Sequence, residues 1–265
     1  MKREKLAAVF FAVAMVLAMA GSAGAVDGTI EINQAKVLAN GGFPYTISAS
    51  GSYRLTGNLT VSGSTDGIDV NASNVTIDLN GFSIIGPVNG FRRGVSAQQY
   101  EVTVENGTVT GFGVGLLLSN NSVVKSVHAD ANAVEGISVG SNSVIDGCTA
   151  NSNQNDSGIQ CSGGGCTISG NTTNSNSQGY GILSDASSVI EGNTANFNGV
   201  GIGCFNGAGC LILRNNISSN TSVGIQAADL TTSYGENVIN GNPTAVQGGT
   251  SLGAGNTNLC NGTRC

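Results

Sequence analysis

Between Gly136 and Asn220, apolar and polar positions recur as four copies of one unit. They read GISVGSNSVIDGCTANSN, GIQCSGGGCTISGNTTNSN, GILSDASSVIEGNTANFN and GIGCFNGAGCLILRNNISSN. Each opens on Gly-Ile, turns through polar or glycine residues, resumes as a β-branched strand and closes on asparagine. Within the strands the apolar residues alternate with polar ones, as in Ile137-Ser138-Val139 and Val75-Thr76-Ile77. That period of two predicts strands with one face buried.

The unit extends beyond these four copies. The first apolar residue of the Gly-Ile-like strand is Ile68, Val95, Leu116, Ile137, Ile159, Ile182, Ile202 and Ile225, with spacings of 27, 21, 21, 22, 23, 20 and 23. The anchor of the following strand is Ile77, Val104, Val124, Ile145, Ile168, Ile190, Ile212 and Ile239, with spacings of 27, 20, 21, 23, 22, 22 and 27. Two markers with nearly one period define a solenoid. A leucine-rich repeat would need dominant leucines and a helical half, and neither is present. The pattern predicts an all-β, single-stranded parallel β-helix of about eight rungs. Rungs stacked at ~4.8 Å give a rod of roughly 40 Å.

The flanks differ in texture. Residues 26–66 are expected to form an N-terminal cap: a strand at Thr29-Ile30-Glu31-Ile32, a short helix capped by Asn33, and strands at Tyr45-Thr46-Ile47 and from Tyr53 to Val61. The repeats then occupy 67–246, and 247–265 lose the period and form a C-terminal cap. Caps cover the apolar ends that a solenoid exposes. Residues 1–25 combine Lys2, Arg3 and Lys5, an uncharged apolar run from Leu6 to Ala20, and Ala23-Gly24-Ala25. They read as a secretory signal peptide; the run of 15 is short for a membrane span.

The asparagines follow the repeat. Three residues past the second anchors stand Asn80, Asn171, Asn193, Asn215 and Asn242; eight past stand Asn132, Asn153, Asn176, Asn198 and Asn220. Asn tolerates left-handed backbone, and its amide both donates and accepts. Such residues stacked at equal heights are expected to form structural ladders, because they recur in rung after rung. Composition agrees: 41 Gly and 31 Asn in 265 residues suit turns. The net charge of −6, or −8 without residues 1–25, excludes a basic nucleic-acid footprint.

Six of the seven cysteines form close pairs, Cys161/Cys166, Cys204/Cys210 and Cys260/Cys265. In an exported chain disulfides are the expectation. The first two pairs occupy equivalent places in their rungs, each stapling a glycine-rich bend, and the rung between carries Ser184 and Ser188 there. CSGGGC and CFNGAGC lack zinc-knuckle spacing, so no metal is expected. Cys148 stands at a ladder position and reads as a buried, inert thiol.

The Gly-Ile strand, the Val189-to-Thr194 unit (VIEGNT) and the period resemble the right-handed parallel β-helix of the pectin-lyase-like superfamily over about residues 45–245. The resemblance implies the fold firmly and the activity hardly at all, since that fold carries lyases, hydrolases, epimerases and adhesins. Galacturonases of the superfamily use three close acidic residues, Gly-His-Gly and Arg-x-Lys. Here the only His stands in Val127-His128-Ala129, and Arg214 is followed by Asn-Asn. Pectate lyases use clustered acidic Ca²⁺ ligands with an Arg or Lys base, so Ca²⁺ enters only under a lyase reading.

The outward column Asp78, Glu105, Lys125, Asp146, Ser169, Glu191, Leu213 and Asn240 is too sparse to share one ion. The best catalytic candidates are Lys125, His128 and Asp130, with Glu135 and Asp146 nearby and Arg92-Arg93 on the Val88–Tyr100 insertion. A Lys or Arg base with a His and carboxylates suits β-elimination. Without a convergent motif, the expected protein is an exported scaffold, in the periplasm, at the cell surface or outside the cell. It is monomeric, non-catalytic, without a cofactor, and engaged with polysaccharide or surface glycan. A polysaccharide lyase or hydrolase is the alternative; a periplasmic accessory protein is the second.

Overall fold

The computed structural model describes residues 28–88, 91–207, 209–252 and 257–265. The expected signal peptide, 1–25, lies outside the described residues. The chain coils through three stacks of strands with 13, 10 and 6 members, parallel except for the last pair of the smallest stack. We call the 10-stranded stack sheet 1, the 13-stranded stack sheet 2 and the 6-stranded stack sheet 3.

Sheet 1 runs from Tyr45–Ile47 to Thr244–Gln247 and carries the first marker in unbroken register. Ile68 lies beside Val95, then Leu116, Ile137, Ile159, Ile182, Ile202 and Ile225. All of these side chains are fully buried. Each apolar residue therefore covers its neighbours above and below, which is how a repeat too small to fold alone builds a core. Strands from the expected caps join the same stacks. Thr29–Ile32 pairs with Gly51–Leu55, and Tyr45–Ile47 pairs with Ile68–Val70. The helix Gln34–Ala39 sits at this end, where the Asn33 side chain accepts from the Lys36 amide at 3.0 Å. At the other end Leu259–Cys260 and Thr263–Arg264 form an antiparallel hairpin.

Sheet 2 holds the second marker, with one correction. Ile77, Val104, Val124, Ile145, Ile168, Ile190 and Ile212 are in register, but the next partner of Ile212 is Tyr234, not Ile239. Ile239 lies in sheet 3 beside Ile217. A half-buried Tyr fills the apolar slot in that rung, so the nearest Ile downstream imitates it. The outward column consequently ends at Gly235 rather than Asn240.

The same slip reassigns the ladders. One runs Asn171, Asn193, Asn215, Asn237, Asn258; in each step the amide Oδ1 above accepts the backbone N–H and Nδ2 below at 2.8–3.1 Å. The other runs Asn132, Asn153, Asn176, Asn198, Asn220 and, as its last member, Asn242. Asn242 thus belongs to the second ladder and not the first. Asn80 belongs to neither: it is a half-buried bend residue at φ +52°, accepting from Arg54 at 2.9 Å and donating to the Leu55 carbonyl at 3.1 Å. Buried polar groups are tolerated because each finds a partner.

The bends are closed by disulfides Cys161–Cys166, Cys204–Cys210 and Cys260–Cys265. In the rung between the first two, Ser188 Oγ accepts from the Cys166 amide at 3.0 Å. Cys148 is a free buried thiol whose backbone N–H donates to Asn171 at 2.8 Å, so it heads the first ladder. Disulfides belong to an oxidising compartment. No helix among the described residues is long and apolar enough to cross a membrane.

Candidate functional site

The residues singled out from sequence are divided between two faces. Lys125 is exposed in sheet 2, in register between Glu105 and Asp146. A bend at Ser126, φ +50°, separates it from His128. His128 Nδ1 stands 2.8 Å from Thr149 Oγ1, and that hydroxyl donates to Asp130 Oδ2 at 3.1 Å. Asp130 also accepts from the Asn151 amide at 2.6 Å. Asp146 faces the other way, accepting from the Ser169 hydroxyl at 2.7 Å. His128, Thr149 and Asp130 form a hydrogen-bonded chain on an exposed surface, without Lys125 or Asp146. Glu135 is separated from them entirely, in the sheet 1 strand Glu135–Val139. Arg93 is also in sheet 1, where its backbone N–H and guanidinium both engage Asp66.

A better-formed site lies on the outward face of sheet 1. Its outward column runs Asp69, Ser96, Leu117, Ser138, Gln160, Leu183, Gly203, Gln226 and Gln247. Over Gly203 two aromatic rings meet. Tyr180 and Phe205 contact edge to face, with ring centroids 5.8 Å apart and planes at 79°. A Cβ on residue 203 would stand 2.7 Å from two Tyr180 ring carbons and 2.9 Å from a Phe205 ring carbon. Glycine is therefore required so that the rings can lie down on the sheet. The Tyr180 hydroxyl reaches two rungs along and donates to Gln226 Oε1 at 3.1 Å; Gln226 Nε2 donates to Gln247 at 3.3 Å.

Beside the rings is an open groove of about 340 Å³, lined by Gln160, Tyr180, Leu183, Asp185, Phe205 and Asn206. Its size falls within the ~300–1,000 Å³ of ordinary ligand sites. Asp185 is fixed at the rim, accepting from the Gly163 amide and from Asn206 Nδ2, both at 2.8 Å. Phe205 and Asn206 lie inside the Cys204–Cys210 ring, so that disulfide holds two of the lining residues.

Glu135 and Asp156 stand at the Tyr180 end. Burial, then the Asp156 charge, pushes the Glu135 carboxyl up to about 7, while a hydrogen bond from Ser138 opposes the rise. A contact with the Asp156 carboxyl adds to the rise. Burial and then the Asp156 charge also raise the Tyr180 phenol above its usual range.

Sequence reading passed over Tyr180 and Phe205. They are 25 positions apart and fall outside the Gly-Ile marker. The usable signal was a scarce aromatic two residues before Ile182, with Gly203 replacing a side chain in the next rung.

A coil of parallel strands in three stacked sheets, with one polar and aromatic outer face, defines a β-helix. The chain belongs to the family described as right handed beta helix region, whose model matches residues 23–195. No curated protein sequence matches the chain. Among solved structures it is similar to the Dettilon tailspike protein (gp208), with a TM-score of 0.61 and 14% identity over 88% of this chain and 53% of that one. It therefore spans about half of the tailspike chain. It is also similar to the A-modules of the Azotobacter vinelandii mannuronan C-5 epimerases AlgE4 and AlgE6. Their TM-scores are 0.47 and 0.39, each at 14% identity over 78% of this chain and 85% and 80% of theirs. The likeness to the tailspike shows the fold alone.

Proposed function

We propose that this protein is an exported, non-catalytic β-helix that holds a strand of polysaccharide or surface glycan along the outer face of sheet 1. One observation carries the reading: Tyr180 and Phe205 meet over Gly203 and are flanked by Gln160, Asn206, Gln226 and Gln247. Ring surfaces take up the C–H faces of pyranoses, and amides match sugar hydroxyls as both donors and acceptors. A parallel stack repeats such positions at ~4.8 Å, a spacing that suits an extended polymer better than a compact metabolite. The groove's lining holds one carboxylate, Asp185, with no His, Lys or Arg beside it, and His128 lies on a different sheet.

Affinity electrophoresis through gels containing soluble polysaccharides tests the reading. At least one polymer is expected to retard the wild type, while Tyr180→Ala and Gly203→Val, checked for unchanged circular dichroism, migrate freely. A wild type retarded by none of them, or variants retarded equally, refutes it.

A further inference from the structure

We propose that the sheet 1 groove selects an uncharged glycan and rejects polyuronates. The inference rests on the glycan-binding reading above and names the class of its ligand.

The charges around the groove are of one sign. Asp185 lines it, and Asp156 acts electrostatically on Tyr180 at its end. The Asp156 backbone packs against Gly179, the residue before Tyr180. No Lys or Arg is among the lining residues. The cations of the described coil are engaged or elsewhere. Arg214, at the bend after the sheet 2 strand Leu211–Leu213, is held between Glu191 and Glu236, and Arg54 on sheet 2 is held by Asp78. Lys125 is on sheet 2 as well. Arg93 shares the face of sheet 1 but is committed to Asp66, with Arg92 beside it. Stepping from Arg93 through Val114 and Glu135 to the level of Tyr180 takes four rungs, ~19 Å. That exceeds the ~8 Å screening length at physiological salt, so these arginines cannot offset a ligand charge at the rings.

The groove instead offers groups suited to hydroxyls. Gln160 and Asn206 line it, and Gln226 and Gln247 extend the row beyond the Tyr180 hydroxyl. Two N–H donors hold the Asp185 carboxyl in place as an acceptor at the rim. A sugar hydroxyl can donate to that carboxylate. The carboxylate of a uronate repels it, and repulsion within ~5 Å of a half-exposed carboxylate is worth about a factor of ten in affinity.

The experiment uses a matched pair. A neutral polysaccharide that retards the wild type is oxidised at its primary alcohols to carboxylates, and both forms are titrated by calorimetry at pH 7.5. The oxidised polymer is expected to bind at least about tenfold more weakly, with the deficit shrinking in 0.5 M NaCl. Asp156→Asn should recover part of the loss, which a merely steric effect of oxidation would not allow. Equal or tighter binding of the oxidised form overturns the proposal. Retardation by pectate or alginate but by no neutral polymer also overturns it, yet leaves glycan binding at this face standing. Retardation by no polymer removes the binding reading itself.

Discussion

Asn193→Leu tests whether the internal amides hold the coil together. In the native rung Asn193 Oδ1 accepts from the Asn171 amide at 2.9 Å and from Asn171 Nδ2 at 3.0 Å. Its own Nδ2 donates to the Ile168 carbonyl at 2.9 Å and to Asn215 at 3.0 Å. Asn193 is 1% exposed, so water cannot replace these partners. Leucine fills a similar volume and keeps the backbone donor to Asn215 Oδ1. It removes the acceptor of the Asn171 N–H, leaving a buried donor unpaired at ~1–3 kcal/mol. It also removes side-chain bonds worth ~1 kcal/mol apiece, offset partly by the greater apolar burial of leucine. The expected loss is about 3 kcal/mol. For a chain of this size that lowers the melting temperature by roughly 6–12 °C. Differential scanning calorimetry of the purified variant reads the shift. Asn155→Leu, at an exposed Asn donating to the Ala133 carbonyl, serves as the control and should move it by less than about 2 °C. A shift for Asn193→Leu no larger than the control would refute the claim that the ladder carries stability.

Three further outcomes are expected. Glu135 is held protonated in the fold, at about 7 against 4.5 in the free side chain, so its contribution is fully present below pH 4.5 and is lost as pH rises through 7. Glu135→Gln should therefore stabilise the protein at pH 8, on the order of 2 kcal/mol, and flatten denaturation midpoints between pH 5 and 8; an unchanged pH profile contradicts this. Burial pushes the Cys148 thiol up to about 11, so Ellman's reagent should find no reactive thiol in the native protein and one after non-reducing denaturation; rapid native reaction contradicts it. Replacing Cys204 and Cys210 together by serine should cost ~2 kcal/mol and weaken glycan retardation, because the ring that presents Phe205 and Asn206 opens; unchanged retardation would show that the staple does not shape the groove.

The coil was legible because stacking requires the same slot to be apolar in every turn. Ile68 to Ile225 fill one slot without exception, so eight markers read from sequence are eight neighbours in space. Legibility ended where the slot changed chemistry. Tyr234 occupies an isoleucine position, Ile239 five residues later belongs to another sheet, and with the marker displaced Asn242 moved between ladders and Asn237 and Asn258 were missed. The groove was illegible for a related reason. Catalytic residues declare themselves by type, and His128, Lys125 and the nearby carboxylates drew attention on that ground. A binding face is made of common residues whose meaning comes from register. Tyr180 matters because Gly203 lies beneath its ring, and Gln226 because it stands two rungs along.

Hydroxyl-radical footprinting of the bound protein tests the central claim most directly. With the retarding polysaccharide present, oxidation of Tyr180 and Phe205 should fall several-fold while His128 on the far sheet is unchanged. Protection of His128 with Tyr180 and Phe205 still oxidised at their free rates would contradict the account.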